Sequence, residues 1–544
     1  MTDRYDTLVP RAREAHRLPG TLTLTADSRL VGPDEATEPV RRLLAPLGLP
    51  LRPTGTGTEI AVGFDAAITE PEGYRLHVGT TGVTLTAAGV DGLRHGARTL
   101  RQLLPDTAWR AAAPAGTEWA LDCGEVADAP ALPWRGGMLD VSRHFLPKRE
   151  VLRYLDLFAM HGLNRLHLHL SDDQGWRVQS ARYPKLTEIG AHRPGSQVGR
   201  ERDGSHDHVP HGGYYTLDDL AEINAYATGL GVTVVPELDL PGHASALLAA
   251  YPEYGIGTHR VLTGWGISAG VVTPLPRTLA FLGEVLDELT EALPVPYVHL
   301  GGDECVLRDW AADAEVMGHL AEQGITEPVD GHGYFLRSLG EHLAKGGRRM
   351  VVWDEGFVTG GMLPDSIVTA WRGSSVGRRA AAAGYDVVRS PVYPTYLDYD
   401  QSDGADEPLS IGGPLTLDDV AGFDPVPADW AADERAHVLG VQFQAWSEYI
   451  PDARHLDYLA FPRACALADV AWTGAPATRL TERLDAHLPR LDAAGVEYRP
   501  LTGPRPWQAG GDGPRRRVPG AEMAKVREHL EAVSATADVQ QETN

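Results

Sequence analysis

Two rhythms of apolar and polar residues divide the chain. Up to about residue 130 apolar positions recur every second residue over short stretches, the period of a half-buried strand. Thr21–Thr25 alternates threonine with leucine, Glu59–Phe64 reads as another strand, and Tyr74–Val78 and Val83–Thr86 flank Gly79–Gly82, a hairpin signal. Val90–Leu104 switches to helical spacing, with Leu93, Ala97, Leu100, Leu103 and Leu104 on one side, and Pro105 ends it. Residues 1–130 therefore read as a small α+β domain, with alanine-rich Ala111–Gly116 as a linker region.

From about 134 to 475 strand-like runs alternate with amphipathic stretches. Strands are predicted at 137–141, 164–170, 232–238, 296–300, 349–353, 367–371, 386–392 and 438–444. Helices are clearest at 148–161, 216–230, 277–293, 333–345 and 376–383, with a last one over 455–471. In the third, Leu279, Leu282, Val285, Leu286, Leu289 and Leu293 stripe one face. Alternation of this kind predicts the α/β class with a parallel sheet, and eight pairs predict a (β/α)8 TIM barrel over residues 131–505. The sixth strand is short and the seventh helix has no clear place in the pattern. Residues 506–544, rich in Gly, Pro and Arg, read as a largely disordered tail with a short helix over Glu522–Ala535.

Composition narrows the function classes. Against 49 basic residues stand 74 acidic ones, a net charge of −25, which argues against nucleic acid or an anionic membrane as partner. Three cysteines, Cys123, Cys305 and Cys465, are too few and too scattered for a disulfide framework or a metal spacing. His206, Asp207, His208 and His211 lie in a glycine-rich loop with no regular element to fix them as ligands. No cofactor and no metal are expected. The start of the chain has no basic segment followed by an apolar run, so a cytoplasmic location is expected; the oligomeric state is left open.

The most informative segment is His299-Leu300-Gly301-Gly302-Asp303-Glu304, two carboxylates after a predicted strand. Neighbours within a strand face opposite ways, but a strand end running into a loop can aim both at one target. Paired carboxylates suit glycoside hydrolysis, which needs one group kept protonated and one ionised. An isolated Asp-Glu is most often surface charge. Its company changes the weighing, because nearly every strand ends in chemistry: Asp140 to Phe145, Ser171 to Trp176, Glu237 to His243, Trp353 to Glu355, Trp371-Arg372, Tyr396 to Tyr399 after the seventh strand, and Trp446 to Glu448. Indoles mixed with carboxylates and an arginine match a sugar, whose C–H faces pack on rings and whose hydroxyls bond to charged groups. Asp218-Asp219 reads instead as a helix start, and Glu355 as a strand-end charge.

Four runs in order, Asp-Val-Ser-Arg-His-Phe, Ser-Asp-Asp-Gln-Gly-Trp, Pro-Glu-Leu-Asp-Leu-Pro-Gly-His and His-x-Gly-Gly-Asp-Glu, resemble the β-N-acetylhexosaminidases of glycoside hydrolase family 20. The resemblance covers about residues 1 to 505. It implies an exo-acting, retaining enzyme in which the sugar's own 2-acetamido oxygen attacks the anomeric carbon, giving an oxazolinium-like intermediate. It also implies the roles. Glu304 would be general acid and then base, Asp303 would orient the acetamido N–H, and Tyr396 would bond the acetamido oxygen. Arg143, Asp172 and Glu448 would hold the outer hydroxyls; an ion pair of Arg143 with Asp140 or Asp172 is the alternative for that residue. Trp353, Trp371 and Trp446 would wall the acetamido methyl, and Asp398 would make a further contact beside Tyr396. His243, with Asp239 behind it, would support the acid. Partners would be N-acetylhexosamine-terminated glycans or chito-oligosaccharides. One feature departs from the pattern: some bacterial members have a tryptophan between the Tyr-Leu-Asp segment and the last strand that stacks on the leaving group. Here Ser402–Pro425 has none, and Tyr399, Ile411 or Phe423 are the candidates to replace it. The competing readings are a family member narrowed to a modified or extended amino-sugar glycoside, and a non-catalytic sugar-binding barrel.

Overall fold

The computed structural model describes residues 3–199, 205–510 and 520–535. The first domain is a six-stranded sheet built from β1 (Glu14–Leu24), β2 (Arg29–Val31), β3 (Glu59–Phe64), β4 (Tyr74–Val78), β5 (Gly82–Ala87) and β6 (Trp119–Asp128), in the order β1-β6-β4-β5-β3-β2. Helices α1 (Asp34–Leu44) and α2 (Val90–Leu103) cover it, and alternate strand residues such as Tyr74, Leu76 and Val78 are buried beneath them. Ala111–Gly116 is not the linker that its composition suggested. β6 follows it and pairs with both β1 and β4, so the segment is a loop inside the domain. Trp472 of the barrel ties the domains together, donating its Nε1–H to Asp128 at 3.0 Å while Arg98 lies 4.3 Å over its ring.

The second domain is a closed barrel of eight parallel strands taken in chain order: β7 (Trp134–Asp140), β8 (Arg165–His169), β9 (Thr233–Glu237), β10 (Tyr297–His299), β11 (Arg349–Trp353), β12 (Ile367–Ala370), β13 (Asp386–Arg389) and β14 (Val438–Ala445). Its outer helices include α3 (Lys148–His161), α4 (Leu217–Leu230), α5 (Pro276–Ala292), α6 (Pro328–Lys345) and α7 (Ser374–Ala382). Asp219 and Thr216 form a capping box at the start of α4, in line with the reading of Asp218-Asp219. Inside the barrel, Trp134, Val235, Val351, Ile367 and Val388 fill one apolar layer. Toward the C-terminal ends the inward positions turn polar, and the register sets Glu237 beside both His169 and His299.

Prolines explain the two places where the periodicity misleads. Between β13 and β14 there is no long helix, only single turns at Val392–Thr395, Leu417–Ala421 and Ala432–Ala436 in a stretch punctuated by Pro391, Pro394, Pro408, Pro414, Pro425 and Pro427. The last predicted helix is two, α8 (Ala453–Ala460) and α9 (Arg463–Thr473), because Pro462 forces Phe461 into an extended conformation. After α10 (Leu480–Ala493), α11 (Gly520–Ala535) is the helix expected over Glu522–Ala535, and it docks on the barrel instead of lying in a disordered tail. The rest of that expectation, at 511–519 and 536–544, falls outside the described residues. Among those described, no helix is long and apolar enough to cross a membrane.

Candidate active site

The loop that follows β10 depends on glycine. Gly301 and Gly302 have φ of +68° and +99°, and a Cβ on Gly301 would lie 1.7 Å from Asp239 Oδ1. That same oxygen accepts the Gly302 N–H at 3.2 Å. Glu304 then takes φ of +49°, a left-handed conformation uncommon for a residue with a side chain. Strain of this kind, about 1–3 kcal/mol, persists where the surrounding structure over-determines it. Its effect is geometric: consecutive carboxylates that a strand would send to opposite faces both line one cavity of about 520 Å³ at the C-terminal mouth of the barrel.

His243, with φ of +47°, joins the acids of three strand ends. Its Nδ1 faces Asp172 Oδ1 at 3.3 Å and Asp173 Oδ2 at 3.5 Å, and its Nε2 faces Glu304 Oε2 at 3.4 Å and Asp303 Oδ2 at 3.7 Å. Burial opposes its charge, but Asp172 and Asp239 outweigh burial and hold it as an imidazolium well above the usual histidine range. Burial, then the nearby Asp239, push the Asp303 carboxyl well above the usual carboxylate range, with His243 pulling the other way. Burial raises Asp239 itself to about 7. The protons of this cluster belong to the group rather than to one residue.

Across the cavity Trp353, Trp371, Val392 and Tyr396 form an apolar cluster with Trp446 packed against it. The Trp446 ring centroid lies 5.9 Å from that of Trp353 and 6.3 Å from that of Tyr396. The indoles leave the ends of β11, β12 and β14 and converge, so they are boxed together and not scattered. Trp371 donates its Nε1–H to Glu355 at 2.9 Å, which gives Glu355 a structural task that its sequence context did not reveal. Trp446 packs against the Tyr396 ring, and burial holds the Tyr396 hydroxyl well above the usual tyrosine range, so that it has a proton to give.

Arg143 is held on three sides. It lies 2.7 Å from Asp172, donates to Asp140 at 3.2 Å and to Gln174 at 3.1 Å, and its guanidinium carbon is 5.0 Å from the Trp446 ring centroid. The ion pair weighed for this residue is present with both aspartates, and Arg143 also lines the cavity. Glu448 and Asp398 line it too, and burial raises the carboxyls of both.

Of the residues singled out in the sequence, Arg143, His243, Asp303, Glu304, Trp353, Trp371, Tyr396, Asp398, Trp446 and Glu448 all line this cavity. Asp239 lies behind it, as expected. Asp172 is a correction: it is buried behind the wall, against Arg143, His169 and His243, and it positions these groups instead of reaching into the cavity. Of the candidates to replace the missing tryptophan, Tyr399 and Ile411 line the cavity, whereas Phe423 is buried in the core beneath Arg389. His206 and His211 are engaged elsewhere, with Thr263 and the Phe145 N–H.

A second layer escaped sequence reasoning. His169 sets its Nδ1 against Glu237 and its Nε2 against Asp172 at 2.9 Å, so both nitrogens carry protons. Burial opposes that charge, and Glu237 and Asp172 restore it. Glu237 also faces His167 at 3.0 Å and His299 at 2.9 Å. The signal was present: His167, His169 and Glu237 are ionisable residues at alternate positions of otherwise apolar strands. His169, Glu237 and Asp239 bring potential ligand atoms within 4.8 Å of one another.

Among the described residues Asp303 Oδ1, Asp398 Oδ1 and Trp353 Nε1 are buried polar atoms without a protein partner. All belong to residues that line the cavity. An acceptor at Asp303, a donor at Tyr396 and an indole box between them are complementary to a small amide whose methyl enters the box.

Comparison with known proteins agrees. The family model for the catalytic domain of glycosyl hydrolase family 20 matches residues 132–475, and that for domain 2 of the same family matches residues 6–129. A beta-hexosaminidase of Porphyromonas gingivalis is 34% identical over 500 residues, covering 88% of this chain; the match spans 62% of that relative's own length. One of Akkermansia muciniphila is 34% identical over 412 residues, 74% of this chain and 80% of its own. The exo beta-N-acetylglucosaminidase of Vibrio harveyi, solved with N-acetylglucosamine, superposes with a TM-score of 0.80 at 30% identity over 91% of this chain and 78% of its own. The N-acetyl-beta-hexosaminidase of Streptomyces plicatus, solved with thio-NAglucal, superposes with a TM-score of 0.78 at 30% identity over 92% of this chain and 98% of its own.

Proposed function

The chain belongs to glycosyl hydrolase family 20, and we propose that it is an exo-acting, retaining β-N-acetylhexosaminidase that removes terminal non-reducing β-linked N-acetylglucosamine or N-acetylgalactosamine. The observation that carries this reading is the unpartnered Asp303 Oδ1 beside the indole box, one residue from Glu304. A neutral amide donates its N–H to Asp303, presents its oxygen to Tyr396 and buries its methyl among Trp353, Trp371 and Trp446. Held so, the amide oxygen lies beneath the anomeric carbon and attacks it while Glu304 protonates the departing oxygen. Positive charge develops on the amide as the ring closes, and an ionised Asp303 in a water-poor site stabilises that charge more than it stabilises the neutral ground state. The nucleophile is tethered, so its effective concentration is high. Glu304 then takes a proton from water, which opens the ring with overall retention.

The amide requirement gives the direct test. Turnover of the 4-nitrophenyl β-glycoside of N-acetylglucosamine is expected, and the 2-hydroxy glucoside, which lacks the internal nucleophile, should be slower by at least about 10⁴-fold. Comparable rates on both would remove the substrate-assisted reading.

The site also fixes a pH dependence. Asp303 must be ionised to act, and its carboxyl is raised, so the acid limb of kcat/KM should lie above the ordinary carboxylate range near about 3.9. Activity therefore falls as pH drops through that raised value. Asp239 is the largest charged contributor to the rise, and Asn at 239 keeps an oxygen for the Gly302 N–H. Asp239→Asn is expected to shift the acid limb of the kcat/KM profile to lower pH. An unmoved limb would mean that a different group governs it.

A further inference from the structure

The cavity has a buried floor and an exposed lip. Trp353, at 1% exposure, marks the floor and Ile267, at 42%, the lip. Half-buried Tyr399, Ile411 and Leu530 and exposed His529 complete that lip. The last two come from α11, which follows the barrel domain in the chain. Three residues of one helix face hold it there. Arg527 sets its guanidinium carbon 4.1 Å over the Tyr393 ring. Glu531 accepts from the Ser374 N–H at 3.1 Å at the start of α7, where the helix dipole favours a carboxylate. Leu530 lies between them and packs on the cluster of Trp371, Val392 and Tyr396. Gly373 permits the approach, since a Cβ there would lie 2.7 Å from the Glu531 carboxyl carbon.

We propose that α11 is a working wall of the leaving-group side of the site, with Leu530 and His529 touching the sugar or aglycone beyond the scissile bond. The proposal rests on the reading of the site as an exo-glycosidase. A terminal sugar enters floor first, Glu304 stands beside the oxygen that departs, and what that oxygen carries must lie toward the lip. Among the described residues, the loops of the barrel bring no tryptophan to the lip, only Ile267, Tyr399 and Ile411. Leu530 adds an apolar face from outside the barrel, against which the C–H face of a second sugar packs, and the His529 imidazole can bond its hydroxyls.

The test compares kcat/KM for chitotriose, whose leaving group reaches the lip, with that for the β-azide of N-acetylglucosamine, whose leaving group is too small to reach it. Two full-length variants are measured: Leu530→Asp, and the double variant Arg527→Ala with Glu531→Ala, which removes the ties of the helix. The ratio of chitotriose to azide kcat/KM should fall about tenfold in both, the loss expected for one apolar contact. An unchanged ratio means that α11 does not touch the leaving group, and a raised ratio means that it obstructs the site; either result overturns the proposal. If the unaltered enzyme turns over neither substrate, the exo-glycosidase reading fails instead.

Discussion

Replacing Glu304 with glutamine is expected to lower kcat on N,N′-diacetylchitobiose by about 10²–10⁴-fold, the span that a positioned general acid supplies. Glutamine keeps the volume and the hydrogen bonding of the side chain and leaves the strained φ of +49° in place, but it has no proton to give. The loss should depend on the leaving group. A sugar alkoxide needs protonation as it departs, whereas 2,4-dinitrophenolate does not, so ring closure on the dinitrophenyl glycoside should be nearly as fast in the variant as in the parent. The second half-reaction still lacks its base. A burst of dinitrophenol followed by slow turnover is therefore expected, and added azide, a nucleophile that needs no deprotonation, should restore the steady rate and yield the β-azide. Equal losses on both substrates, with no burst and no azide effect, would show that Glu304 holds the fold of the loop and not a proton.

Much of this arrangement was legible in the sequence because strands and barrels leave little freedom. An inward residue at the end of a parallel strand has one place to go, so Asp303, Trp353, Trp371 and Trp446 could be assigned to a common mouth before any coordinates. What escaped reading has physical causes. The left-handed backbone at Glu304 leaves no composition signal, since glutamate does not favour it, and at His243 the enrichment of histidine there is too weak a signal to mark one position. Asp172 looked like a sugar ligand by position, but its oxygens are taken up by Arg143, His169 and His243, a competition that only distances reveal. The seventh unit had no long helix to find, only single turns between prolines. The docking face of α11 consists of Arg527, Leu530 and Glu531, a pattern that is ordinary on any exposed helix until the start of α7 and the Tyr393 ring are placed opposite it.

Asp303→Asn should lower kcat by about 10²–10³-fold, the loss expected on removing one preorganised stabiliser of developing charge. The asparagine is isosteric and can still accept from an amide N–H through its oxygen, so binding of N-acetylglucosamine itself should weaken only slightly. What it lacks is negative charge, and charge matters only as the amide becomes cationic. A thiazoline mimic of the cyclised intermediate should therefore lose affinity by a factor close to the loss in kcat/KM, while the product sugar does not. A series of substrates with mono-, di- and trifluoroacetamido groups gives an independent reading. Each fluorine makes the amide oxygen a poorer nucleophile, and a parent enzyme that uses that oxygen should slow steeply along the series. The charge borne by the amide in the transition state should be smaller in the variant, and the slope shallower. If product and thiazoline weaken by the same factor and the fluorine slope is unchanged, Asp303 binds the amide in its resting state and contributes nothing specific to ring closure. The low dielectric that raises its carboxyl would then be a consequence of burial alone.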